Sequence, residues 1–358
     1  MQRVVRKDAG SSIPRKGSGR TFQLESVMDA LAPIYPVMQK YGVTLSPKEF
    51  HRVVNLVFHK AESAVYDIVH RCMWESLPQQ YELLMTDYER AGGLLKNGLV
   101  LLDVGCGTGL ASELLLRNRL RRWVAEVDLL DTSPEMLQQA KRRAEMWCVK
   151  ANILQGTVES LRNGTRKYDI IVICSVLHHI PDLTGFLLEI QMLQSDGGIL
   201  IHLQDPNGDY LTDPVLNERI AELRKSLPSA PRLGLSRFHP RRVFLKIKRE
   251  LTRTTDGTSD YIRAVNKELL ESGIIRKSMT EVDIWTVTDM HVHDGNGISM
   301  KQMSQILDKY KLVECRSYAF FGELSSSLPT SFWRREQELI QQNASNGSQV
   351  AGIWQRLT

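Results

Sequence analysis

Three sets of residues in this chain have the types and spacing to do chemistry. The first is Asp103-Val104-Gly105-Cys106-Gly107-Thr108-Gly109, where an acidic residue ends the apolar run Leu99 to Leu102 and glycines follow at every second position. A loop nearly free of side chains lets a ligand come against the backbone, and a sharp strand-to-helix turn can demand positive φ, which glycine adopts freely. The pattern is Asp-x-Gly-x-Gly-x-Gly; the third glycine of a dinucleotide Gly-x-Gly-x-x-Gly would fall on Leu110. The second is Asp131, 22 residues beyond Gly109, near the roughly 20-residue interval at which nucleotide-binding α/β folds set a carboxylate against a ribose. An ionised carboxylate only accepts, and it can take both ribose hydroxyls. Asp128 is the rival and a plain helix cap the simpler use of Asp131, but Asp131 stands where strand gives way to helix. The third set is histidine: His178-His179, and His291-Val292-His293-Asp294. An imidazole titrates near neutral pH and can take or orient a proton.

The apolar runs supply the scaffold for these residues. Leu99 to Leu102 and Val124 to Leu130 read as strands, with Ser133-Pro134 opening a helix in cap and first-turn order. Asn152 to Gln155, Tyr168 to Cys174 and Ile199 to Leu203 read as three more strands, the last preceded by Gly197-Gly198. His178 and His179 then lie past the fourth strand, at the carboxyl edge where open α/β sheets bind ligands. Met300 to Tyr310 read as a helix, and Leu312 to Phe321 and Gln349 to Leu357 as a late antiparallel pair. Residues 22 to 95 show helical periodicity, as in Val53, Val54, Val57, Phe58, then Val65, Ile68, Val69.

Taken in order, the glycine loop, Asp131-Thr132-Ser133-Pro134-Glu135-Met136-Leu137, Gly156-Thr157-Val158 and Leu177-His178-His179-Ile180 are far more specific together than singly. In these segments the chain resembles the class I S-adenosylmethionine (SAM)-dependent methyltransferases, specifically the small-molecule group related to ubiquinone and menaquinone biosynthesis. The resemblance implies an α/β fold: a Rossmann-like seven-stranded methyltransferase sheet, an N-terminal helical block and a helical cap inserted after strand five. It implies SAM as cofactor, S-adenosylhomocysteine (SAH) as product, and cofactor contacts from Asp103, Gly105, Cys106, Gly107, Gly109, Asp131, Thr132, Met136, Thr157, Val158 and Ser175. Family members often carry an acidic residue after the third-strand glycine, where this chain has Thr157. His59 to Asp67 resembles the Tyr-Asp segment that many members fold over the cofactor, which makes Tyr66 a lid candidate; an ordinary amphipathic helix explains it equally well.

The implied organisation is a basic tail at 1–21 without fixed structure, a helical lid region at 22–95, a SAM-binding core at 96–205, a substrate cap at 206–298 and the rest of the core at 299–358. The length of 358 residues and 42% hydrophobic content suffice for a sizeable core. No apolar run is long enough to span a membrane. Five cysteines without a Cys-x-x-Cys pair fit buried thiols in a reducing compartment, and the N-terminus has no apolar signal region, so the expected location is the cytoplasm. From Leu216 to Arg253 eleven Lys and Arg face three Glu, a local charge of +8 against +5 for the whole chain. A solvated helical face is the first explanation, attraction of an acidic substrate the second. Nucleic acid comes last, because only Phe238 and Phe244 interleave for stacking.

Methyl transfer from a sulfonium is an in-line displacement that asks mainly for positioning. A base matters where the acceptor is protonated. The Asn/Asp-Pro-Pro-Tyr sequence of base amino-methylases is missing after strand four, where Ser175-Val176-Leu177 stands, and so is the Pro-Cys of cytosine C5 enzymes. Metal-assisted enzymes want an aspartate at the place of Ser175; Asp205 and Asn207 do not replace it, and no metal is expected. The reading is transfer to an oxygen or nitrogen of a small molecule or peptide, with carboxylate-bearing acceptors among the candidates. His178, His179, His291 and His293 are the catalytic candidates. In the alternation Val287 to His293 a strand would turn both later imidazoles to one side, and Asp294-Gly295-Asn296-Gly297 would return them over the cofactor. The alternatives are a SAM-binding protein without transfer activity, an RNA methyltransferase, and a nicotinamide oxidoreductase, against which the glycine spacing speaks.

Overall fold

The computed structural model describes residues 30–117, 119–227, 258–291, 297–322 and 328–358. Its centre is a seven-stranded sheet in the order β3-β2-β1-β4-β5-β7-β6. The strands are β1 Leu99–Val104, β2 Val124–Asp131, β3 Lys150–Gln155, β4 Tyr168–Cys174, β5 Gln194–Pro206, β6 Tyr310–Tyr318 and β7 Gln349–Arg356. β1 to β5 pair in parallel, and β7 runs against both β5 and β6, which gives the late antiparallel pair. The strand order reverses between β1 and β4, so the ligand crevice of an open sheet falls at their carboxyl ends. The glycine loop leaves one of these ends and Ser175 leaves the other.

Strand pleating splits neighbouring apolar residues between two cores. Leu101, Ile170, Ile199 and Ile353 face a core completed by helices α3 (Met73–Arg90), α4 (Leu110–Leu116) and α5 (Pro134–Ala144). Leu102, Ile171, Leu200 and Trp354 face the other, completed by α6 (Leu183–Leu193) and α10 (Met300–Ile306). Hydrophobic runs mark only the buried middle of an element, so several edges move. β5 extends beyond Ile199 to Leu203 at both ends, and β6 stops at Tyr318 because Phe320 and Phe321 are buried from the turn that follows. Helix α11 (Thr330–Gln341), between β6 and β7, was not visible in the sequence; it packs on β6.

A third core lies above the sheet edge. In α2 (Pro47–Glu62) Phe50, Val54, Val57 and Phe58 meet Tyr261, Val265 and Leu269 of α8 (Thr258–Glu271) and Ile284 and Val287 of α9 (Glu281–Thr288), with Val37 and Met38 of α1 (Tyr35–Tyr41). Ser46 caps α2 by accepting from the Glu49 amide at 3.3 Å, with Pro47 in the first turn. The helical block at 22–95 is therefore divided: α1 and α2 share a core with the insertion, while α3 packs beneath the sheet. Of the strand expected at Val287 to His293, the described residues 287–291 form none. Val287 belongs to α9, whose N-terminus Thr280 caps by accepting from the Asp283 amide at 3.2 Å, and its apolar face mimicked alternation. His293 and most of the turn expected after it (294–296), the tail at 1–21 and residues 228–253 of the basic segment lie outside the described residues. No helix among the described residues is long and apolar enough to cross a membrane.

Because α1, α2, α8 and α9 share one small core, Phe50→Ala, at a fully buried position, should cost about 3–5 kcal/mol of stability in chemical denaturation. It should also make residues 258–291 more susceptible to limited proteolysis.

Candidate active site

The loop after β1 turns through three left-handed glycines, Gly105 (φ 65°), Gly107 (φ 52°) and Gly109 (φ 78°). A side chain at Gly105 would run into Val176, whose nearest methyl lies 2.6 Å from the Cβ position, whereas at Gly107 the first atom met is Tyr66 Cζ at 4.0 Å. Gly107 thus opens into a cradle roofed by Tyr66. Beneath it Asp103 is fully buried: its Oδ2 accepts from Ser112 Oγ at 2.6 Å and its Oδ1 has no partner. Burial pushes its carboxyl up to about 7, against the Ser112 hydrogen bonds. An orphaned buried carboxylate oxygen beside bare backbone suits an incoming ammonium such as that of a methionine moiety.

The two acidic residues of β2 have separate work. Asp128 accepts from Tyr168 Oη at 2.8 Å and Asn152 Nδ2 at 2.6 Å and pairs with Arg166 at 2.8 Å, a buried structural cluster. Asp131 reaches the crevice instead. Its Oδ2 accepts from the Gly107 amide at 2.9 Å and its Oδ1 from the Ser133 amide at 2.8 Å, leaving further lone pairs on both oxygens. Thr132 and Thr157 are exposed, and Met136, Val158 and Cys106 are buried. Val158 packs with Leu102 and Leu130, so its side chain belongs to the sheet core. Ser175 follows β4 with φ 59°, a left-handed conformation that a serine keeps only where its surroundings enforce it.

Tyr66 opens a single helical turn, Tyr66–Val69. Asp67 beside it accepts from Thr108 Oγ1 at 2.9 Å and pairs with Arg143, which also pairs with Glu113. These contacts fasten the Tyr66–Asp67 segment onto the glycine loop.

The histidines divide by what they hold. His178 Nδ1 lies 2.7 Å from Oδ1 of Asp205, a fully buried residue on β5 that also accepts from the His178 amide at 3.1 Å. Burial opposes the charged ring, but the Asp205 hydrogen bond and charge outweigh it, and His178 sits above its ordinary value. His179 Nδ1 contacts the Thr288 carbonyl of the cap at 2.8 Å, and His291 Nε2 contacts the Ile180 carbonyl of the β4 loop at 2.7 Å. His51 of α2 bonds the His179 carbonyl, and burial pushes it down to about 4. Burial likewise lowers His179 and His291. These three rings join α2, α9 and the turn after it to the loop beyond β4, and among the described candidates His178 is the one that its carboxylate partner raises; His179 Nδ1 lies 3.5 Å from Asp289 Oδ1, but burial and its neighbours lower it. His178, His179 and Asp289 also place potential ligand atoms within 4.8 Å of one another, with Nδ1 of the two rings already engaged by Asp205 and Thr288. In the sequence Asp205 stands out only as an insufficient metal ligand, although its carboxyl-edge position was a signal for more, and nothing there marks His51 or the Glu62 cluster described below.

Two outcomes follow from the carboxylates. Asp131→Ala should weaken SAH binding in calorimetry by about 2–3 kcal/mol, the scale of charged hydrogen bonds, with Asp128 unable to substitute. For Asp103, whose folded value is raised, the stability contribution is full below the unfolded value and lost as pH rises through about 7. Asp103→Asn should therefore raise the melting temperature at pH 8.5, by an increment that shrinks towards pH 4.

The family described as "Methyltransferase domain" matches residues 102–202. The ubiquinone biosynthesis O-methyltransferase of Methylocella silvestris is 30% identical over 125 residues, covering 33% of this chain and 47% of the relative. Its counterpart from Salmonella paratyphi A is 34% identical over 122 residues, 34% of this chain and 48% of the relative. The chain spans about half the length of these curated relatives. The solved plantazolicin methyltransferase BpumL in complex with SAH overlays with 12% identity and a TM-score of 0.40, covering 94% of this chain and 100% of that one, a likeness too loose to bear on the site. The domain match falls on the strands that carry the glycine loop, Asp131 and the His178 turn, so residues 102–202 are similar to a methyltransferase domain in the stretch that builds the crevice.

Proposed function

We propose that this protein methylates a hydroxyl oxygen of a small molecule held between the cap and the carboxyl edge of the sheet. The observation that carries the reading is the His178–Asp205 pair at 2.7 Å, beyond the end of β4 and next to the left-handed Ser175. O-methyltransferase names among the relatives support oxygen over nitrogen. The cradle at Gly107, the orphaned oxygen of Asp103 and the free lone pairs of Asp131 are the parts that would hold SAM. Bound there, SAM supplies an electrophilic methyl on a sulfonium, so the protein needs only to deliver an oxygen nucleophile in line.

A hydroxyl is a poor nucleophile while it keeps its proton. Asp205 fixes His178 with Nδ1–H donated to its carboxylate, which leaves the Nε2 lone pair to take the acceptor's proton as the new O–C bond forms. Asp205 also stabilises the resulting imidazolium, and the cap stapled by His51, His179 and His291 excludes competing water. A carboxylate acceptor would arrive ionised and need no base.

His178→Ala should lower kcat on the true acceptor by about 10²–10⁴-fold while SAH affinity stays within twofold. Because Asp205 raises His178, turnover should fall as pH drops through a midpoint above the ordinary histidine value. Asp205→Asn should move that limb to lower pH. Full turnover in His178→Ala, measured by label transfer from methyl-labelled SAM into pooled phenols, alcohols, amines and carboxylic acids, would remove the base from the account.

A further inference from the structure

One cluster of titratable groups is used by neither the cofactor cradle nor the His178 base. Glu62, the last residue of α2, has a side chain only 4% exposed and is shared by two imidazoles: His70 Nε2 at 3.0 Å from Oε1 and His59 Nδ1 at 3.5 Å from Oε2. The two imidazoles pack against different parts of the site. The His70 ring packs on Tyr66, with centroids 4.3 Å apart, and Tyr66 roofs Gly107. The His59 ring stands edge-on to His179 at 5.2 Å, and His179 in turn lies 4.0 Å from His178. A single buried carboxylate thus bridges the element over the cofactor cradle and the imidazole row on the acceptor side.

We propose that Glu62 is a positioning residue that couples the two halves of the site, holding Tyr66 over the glycine loop through His70 and setting the proton on His59 through the same carboxylate. The inference rests on the SAM reading above. A carboxylate so deeply buried keeps its charge only while a cation or hydrogen-bond donor faces it. Burial opposes its ionisation, but the His70 charge and the hydrogen bonds from both imidazoles outweigh burial and hold it below the usual carboxylate range. The other group facing it is the Tyr261 hydroxyl of α8, besides Tyr66 itself. His59 is faced by Glu62, by Asp131 at the end of β2, by Asp289 after α9 and by the neutral ring of His179, with His178 beyond. Two imidazoles sharing one carboxylate are coupled, so ordering one of them changes the proton affinity of the other. SAH seated under Tyr66 orders His70, and His59 titrates differently as a result.

The test uses the full chain and SAH. Glu62→Gln, which touches no cofactor atom in this account, should weaken SAH binding by about three- to thirty-fold, the range for coupling through residues outside ligand contact. In the unmodified protein the imidazole C–H resonance of His59, assigned with His59→Gln, should shift its titration midpoint when SAH is added, and in Glu62→Gln that shift should vanish. A residue with only a packing role would lower the melting temperature without abolishing the shift. If Glu62→Gln does not fold, His70→Gln, which keeps a donor towards Glu62, serves for the same pair of measurements. SAH affinity within twofold of the unmodified protein, or an His59 titration indifferent to SAH, overturns the proposal. Failure of the unmodified protein to bind SAH at all overturns the SAM reading, and the coupling with it.

Discussion

The site depends on a hydrogen bond between the ends of two neighbouring strands, from the Gly107 amide to Asp131 Oδ2. β1 must end in bare backbone for a ligand to lie against it, and bare backbone has no side chains to fix it. The Asp131 carboxylate supplies the fixing from β2 and takes the amide of Ser133, the cap of α5, as well, so the same group sets the loop, holds the cap residue of α5 and presents lone pairs to the crevice. Asp128 can take no part in this. Pleating turns it to the interior, where Tyr168, Asn152 and Arg166 use it fully.

On the opposite side of the crevice the constraint is burial. The helices of the third core meet the sheet over a row of imidazoles, and a neutral imidazole suits such a contact because it can donate to a carbonyl across the boundary without carrying a charge into it. His179 to Thr288, His291 to Ile180 and His51 to His179 all follow that rule. The two imidazoles kept above their ordinary value, His178 and His59, are held by Asp205 and Glu62, whereas His179, although its Nδ1 lies 3.5 Å from Asp289, is lowered by burial and by the neighbouring rings. Shared burial with different partners therefore separates rings that hold the cap from rings that can handle protons.

Much of the core was legible in the sequence, because its signals are local. The strand ending in Asp103, the glycine spacing and the Asp131-Thr132-Ser133-Pro134 junction each need only a short window. The cap was not legible in the same way. Its core joins Phe50 and Val54 to Val265 and Leu269, a pairing across some two hundred positions that no local period reveals. The same limit hid the partners of single residues: His179 and His291 are catalytic candidates by type, and nothing local in the sequence announces their contacts with the Thr288 and Ile180 carbonyls. Asp205 was visible at the end of β5 but not its grip on His178. The alternation at Val287 misled because a short amphipathic helix and a half-buried strand can share an apolar pattern over a few residues.

The central claim is that the crevice between β1 and β4 is built for SAM. Its most direct test is calorimetric titration of the full chain with SAH and, separately, with NADH. The account predicts one SAH bound per chain with no heat from NADH. Saturable NADH binding with none for SAH would contradict it.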